Sequence, residues 1–120
     1  MQSDSELITP FDVEREMVEL NNRIEKAPSI VKEWHEKVRS AKQTYRKKYN
    51  LAYSAAMGTA MERRIEAEMA TEQELALVDF AEIEYKYVSD TLDALKTKLR
   101  ALQSISSLMK AQMFSPQGGI

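Results

Sequence analysis

The stretch from Thr71 to Met113 constrains this chain most. Apolar or small residues recur there at Val78, Ala81, Tyr85, Val88, Leu92, Leu95, Leu99 and Leu102. The steps alternate between three and four, the heptad spacing of a helix that lays one edge against another helix. The row continues, slightly shifted, through Ile105, Met109 and Met113. Thr71-Glu72-Gln73-Glu74 in front of it has the form of a capping box. Leu75, Leu77 and Val78 crowd the first turns, so a short strand over 72–80 stays open as an alternative.

A seam this long needs covering, and 120 residues supply few elements to cover it. Small domains bury only a modest fraction of their surface. The expectation is therefore a homo-oligomer, with Val88, Leu92, Leu95, Leu99, Leu102, Ile105 and Met109 as the residues through which copies associate. Three glycines and three prolines suit long helices. There is no cysteine, hence no disulfide or thiolate metal site. With a single histidine, a multi-histidine metal centre would need several copies of the chain to meet, and no cofactor is expected. No apolar run approaches bilayer length, and the polar, acidic start Met1-Gln2-Ser3-Asp4-Ser5-Glu6 is unlike a signal peptide. The cytoplasm is the expected compartment.

Read in order, the chain gives an all-α protein of one helical domain. Residues 1–8 and 114–120 are expected to be disordered. Thr9-Pro10 opens a first helix over 10–26, with Val13, Met17, Leu20 and Ile24 on one face. Ala27 precedes Pro28 and should leave the helical region, ending it. A second helix over 28–57 points Val31, Trp34, Val38, Ala41, Tyr45, Ala52 and Ala56 inward, with Lys48 or Tyr49 at the missing step. Gly58 ends it. Thr59-Ala60-Met61-Glu62 is another capping box, opening a short helix over 60–70 on which Met61, Ile65 and Met69 align. Met57, Met61 and Met69 are expected to fill gaps at the bend. The last helix covers 72–113. The economical fold is an antiparallel hairpin of the two long helices, with two shorter helices beside it.

The formal net charge of −2 hides a strong pattern. Residues 29–56 carry seven basic side chains and two acidic ones, whereas residues 57–84 carry two basic and eight acidic. Lys32, Arg39 and Arg46 are seven apart and share a stripe, joined by Lys42 and interrupted once by Glu36. Tyr45, Tyr49 and Tyr53 form a ladder on the same helix. Cations that follow a phosphate backbone, with rings to stack on unpaired bases, are what a non-specific single-strand binder requires. The same residues also fit a packed tyrosine row with a solvated charged back, and the side chains alone leave both readings standing. His35 has no facing carboxylate and reads as a surface residue, and Trp34 as core. Glu62, Glu66 and Glu74 lack the glutamate-x-x-histidine pairing of a bundle metal site. No nucleotide loop or nucleophile motif is present, so no catalytic residue is assigned.

Three stretches carry a resemblance. The first is the basic helix from Trp34-His35-Glu36-Lys37-Val38 through Ala41, Tyr45, Tyr49 and Ala52. The second is the link Glu62-Arg63-Arg64-Ile65-Glu66-Ala67-Glu68-Met69. The third runs from Asp79-Phe80-Ala81-Glu82-Ile83-Glu84-Tyr85-Lys86-Tyr87 to Leu92, Leu95, Leu99 and Leu102-Gln103-Ser104-Ile105. Together they resemble the UvsY-like recombination mediators of tailed phages over about two thirds of the chain. The resemblance implies a non-enzymatic protein that binds single-stranded DNA and assembles as a ring. It also implies action with a RecA-like recombinase against a single-strand-binding protein. It puts the DNA contacts on Lys37, Arg39, Lys42, Arg46, Lys47 and Lys48, and leaves open whether Tyr45 and Tyr49 face DNA or the core. The competing expectation is a helical scaffold or phage assembly chaperone acting through protein contacts alone.

Overall fold

The computed structural model describes residues 8–114; the expectations for residues 1–7 and 115–120 lie outside them. Among the described residues there are three helices and no strand: α1 (Pro10–Ala55), α2 (Ala60–Ala70) and α3 (Glu72–Phe114). The all-α expectation holds, and the stretch 72–80 is helix.

α1 opens as its sequence predicts. The Thr9 hydroxyl accepts from the Asp12 N–H at 3.1 Å, and Asp12 accepts from the Thr9 N–H at 3.2 Å. Pro10 stands in the first turn, where its missing N–H costs nothing. The expected break at Ala27-Pro28 does not occur: one helix runs through Pro28, so there is one short helix and not two. The stripes expected of two separate helices are in phase. Val13, Met17, Leu20, Ile24, Ala27, Val31, Trp34 and Val38 are all buried or half-buried, at steps of four and three. Continuous packing on that side outweighs the roughly 3 kcal/mol that an interior proline costs. Pro28 itself is exposed. Pro28→Ala should restore one backbone hydrogen bond, offset by the proline's smaller unfolded-state entropy, for a net gain of about 2 kcal/mol in chemical denaturation. A variant no more stable than the parent would show that the proline costs the helix nothing.

The chain packs as two compact units. One comprises the residues up to Pro28 together with those from Asp90 onward; the other is Ser29–Ser89. Both long helices contribute to each unit. In the first, Glu16 pairs with Lys98 at 3.7 Å and Glu14 with Lys110 at 3.8 Å. In the second, Lys42 pairs with Glu82 at 3.1 Å and Lys48 with Glu74 at 2.7 Å. Advance along α1 matches retreat along α3 in both, so the pairing is antiparallel.

The α3 seam lies where its spacing puts it from Val78 to Leu102, then departs from the expected row. Ser106 is buried, at 8% exposure, while Ile105 is 42% and Met113 65% exposed. The heptad step from Leu102 falls on 106, and helical register outranks side-chain character there. Val88, Leu92, Leu95, Leu99, Leu102 and Met109 are half-buried within this single chain. The first part of α1 covers the later part of this seam only in part, and those side chains stay half-exposed in the single chain.

Two further expectations fail at the bend. Thr71 makes no capping box with Glu74: it closes α2, its hydroxyl donating to the Ala67 carbonyl at 2.7 Å. Glu74 is drawn to Lys48 instead. Met57, Met61 and Met69 fill no gaps; they are exposed, Met57 by 86%, because α2 packs through the fully buried Ala67. The Thr59–Glu62 box does form, with both reciprocal hydrogen bonds. Gly58 before it has φ +111°, and a Cβ there would meet Glu62 Oε1 at 2.7 Å.

These carboxylates make the fold acid-sensitive. The Thr59 backbone N–H holds the Glu62 carboxyl below its ordinary range. The Thr9 backbone N–H does the same for Asp12, and the Lys48 ammonium for Glu74. A carboxylate depressed in the folded state contributes stability that is present above its unfolded value and lost as pH falls through the folded one. The thermal midpoint should therefore fall as pH drops below about 4. Exchanging Asp12 and Glu62 for Asn and Gln should flatten that fall. An equally steep acid profile in the exchanged protein would contradict the assignment.

Candidate nucleic-acid interface

The candidate site is the solvent side of α1 within the Ser29–Ser89 unit. An α-helix rises 1.5 Å per residue, so Lys32, Arg39 and Arg46 stand about 10 Å apart along one stripe. Lys47 lies beside Arg46, and Ser40, Gln43 and Thr44 fill the surface between. Shallow depressions run along this side, one lined by Arg46 and Lys47 with Ser40, Gln43 and Thr44, the next by Arg39 and Glu36 with Ser40 and Gln43. Lys32, Arg39, Arg46 and Lys47 are exposed and make no ion pair among the described residues. Glu36 is the one acidic group in the row.

The other expected cations are engaged. Lys42 reaches Glu82, and Lys48 reaches Glu74. Lys37 sits 3.3 Å from Glu33 and 4.2 Å above the Trp34 ring. Half-exposed pairs of this kind hold their partners weakly. They nevertheless neutralise the charge that a phosphate would meet. Glu82 and Glu74 of α3, with Glu33 of α1, thus divide the basic segment into a paired set and a set without ion pairs among the described residues. An antiparallel reading of the charge pattern, laying residues 72–84 along 42–48, would have found this signal.

The tyrosines form the ladder their spacing predicts, winding from the inward stripe at Tyr45 toward the cation stripe, which Tyr53 extends seven residues beyond Arg46. Tyr45 and Tyr49 have ring centroids 6.0 Å apart, and Tyr49 stacks on Tyr53 at 6.4 Å. All three are half-buried. Tyr49, and not Lys48, occupies the open step of the inward stripe. Arg63 from α2 sits 4.9 Å over the Tyr53 ring and donates to the Tyr53 carbonyl. The half-buried rings thus pack on one another, and Tyr53, the one nearest the cation stripe, is engaged by Arg63. Arg63 was not singled out by sequence; no spacing rule connects it to Tyr53 across the bend.

Trp34 packs edge-on against Phe80, with centroids 6.0 Å apart. His35 is exposed and rests 5.5 Å from Tyr85. Among the described residues no helix is long and apolar enough to cross a membrane. Comparison with known proteins finds no matching family model, curated protein or solved structure.

Proposed function

We propose that this protein is a non-enzymatic single-strand DNA binder of the phage recombination-mediator type. In this reading several copies assemble, and the assembly helps a RecA-like recombinase displace a single-strand-binding protein in the cytoplasm. The observation that carries it is the row of four exposed cations on α1 that make no ion pair among the described residues: Lys32, Arg39, Arg46 and Lys47. Paired charge contributes little to phosphate binding, whereas free charge at regular intervals along a rigid rod neutralises successive phosphates. The face carries no set of side chains spaced to read base edges in a groove, which supports binding with little sequence preference. A fluorescent oligonucleotide titration at low salt tests it. Two single strands of unrelated sequence should bind alike.

A second reading has its own observation. Met61, Ile65 and Met69 form an exposed apolar row along α2, which suits a scaffold acting through protein contacts alone. Absence of oligonucleotide binding in low salt would hand the chain to that reading.

A further inference from the structure

Among the described residues, three cations stand over aromatic rings: Arg15 over Phe11, Lys37 over Trp34 and Arg63 over Tyr53. Arg15 also meets Asp12, and Lys37 meets Glu33. Arg63 alone of the three makes no ion pair among the described residues. Two anchors fix it, both on one residue. Its guanidinium carbon lies 4.9 Å from the centroid of the Tyr53 ring, and its Nε donates to the Tyr53 carbonyl at 3.3 Å. Tyr53 is itself held by Tyr49, whose ring lies 6.4 Å away at 20°. The remaining N–H donors of Arg63 find no acceptor among the described residues. Both Arg63 and Tyr53 are half-exposed.

The place of this pair matters. Tyr53 stands seven residues beyond Arg46, about 10 Å further along the stripe that Lys32, Arg39 and Arg46 begin. All of these residues belong to the Ser29–Ser89 unit. At the step where the stripe itself offers a ring, α2 brings a cation onto it. A guanidinium is flat and weakly hydrated, and it stacks on aromatic rings and on unpaired bases alike.

We propose that Arg63, held on Tyr53, stacks on an unpaired base of a strand whose phosphates follow the α1 cations. The proposal rests on the DNA reading of α1 and supplies what that row lacks. Phosphate contacts are common to one strand and two, and they carry no information about the bases. In a duplex the faces of the bases are covered by their neighbours, and exposing one costs unstacking energy. Every base has such a face, so a single stacking contact favours unpaired strands without favouring a sequence.

Two oligonucleotides with equal numbers of phosphates test it, one of thymidines and one abasic. The wild type should bind the thymidine strand roughly tenfold more tightly, as the gain of one stacked base implies. Arg63→Lys keeps the charge and loses the plane. It should bind both strands alike, at the wild type's affinity for the abasic one and with the wild type's salt slope. A role confined to fastening α2 to the end of α1 would lower the thermal midpoint of Arg63→Lys and leave the preference for bases in place. That result would overturn the proposal, as would a wild type that binds both strands equally. Either would leave the phosphate contacts of α1 standing. Binding to neither strand would overturn the DNA reading of α1 and this proposal with it.

Discussion

Reversing three charges on α1, with Arg39, Arg46 and Lys47 each changed to Glu, should abolish oligonucleotide binding while leaving the far-UV helical signal intact. The three side chains are exposed and make no ion pair among the described residues, so the fold does not depend on them. Each lost phosphate contact should weaken binding to all sequences about equally. Three reversals remove three attractions and add three repulsions on one rigid face. Lys42 and Lys48 supply the contrast. Their ammonium groups are held by Glu82 and Glu74, so Lys42→Ala and Lys48→Ala should bind nearly as the parent does. If the triple variant binds as tightly as the wild type, the solvent face of α1 is not the contact surface. If the two alanine variants lose as much as the triple, the ion pairs open to meet DNA and the division into free and paired cations is wrong.

The second large effect is on stability. Leu20 is 3% exposed in the unit that joins the start of α1 to the end of α3. Few side chains there are as deeply enclosed; Val13 is the other apolar one, and the seam leucines opposite remain half-exposed. Leu20→Ala leaves a cavity between two helices that have little else to close it. The expected cost is about 2–5 kcal/mol. Ordinary domains have roughly 5–15 kcal/mol to lose. Urea unfolding should therefore show a large drop in midpoint, with helical signal lost first at low denaturant. Val18, 59% exposed on the same helix, is the control; Val18→Ala should stay within about 0.5 kcal/mol of the parent. Equal effects at the two positions would mean that α1 does not pack on α3 through Leu20.

Periodicity made most of the fold legible. The α3 seam from Val78 to Leu102, the α1 stripe from Val13 to Val38 and the Thr59–Glu62 box were all readable from spacing, because a helix repeats its faces at a fixed interval. Pro28 misled because proline is a local signal. The stripe crossing it is a longer one, in phase on both sides, and the sum of its contacts prevailed. Thr71 misled for a related reason: a threonine followed three residues later by glutamate fits a helix start, but the same hydroxyl closes the preceding helix when only one residue separates the two. The methionines at the bend were assigned by composition, and composition does not say which side of α2 an alanine as small as Ala67 will draw inward.

The candidate site was half legible. Lys32, Arg39 and Arg46 lie on the stripe their seven-residue spacing implies. The tyrosines did form a ladder, but spacing by four places rings together without saying which side of the helix they share with neighbours. The phase of Val31, Trp34 and Val38 supplies the side: it put Tyr45 on the inward stripe and left Lys48 or Tyr49 for the next step, which Tyr49 takes. The loss of Lys42 and Lys48 to ion pairs depended on the register of α3 against α1, which no local pattern encodes.

The salt dependence of binding tests the central claim most directly. With four free cations per chain meeting a single strand, the logarithm of affinity should fall linearly with the logarithm of salt concentration, with a slope of about −3. A slope near that value in the wild type would place Lys32, Arg39, Arg46 and Lys47 on phosphates. A slope near zero, or no binding at the lowest salt, would contradict it.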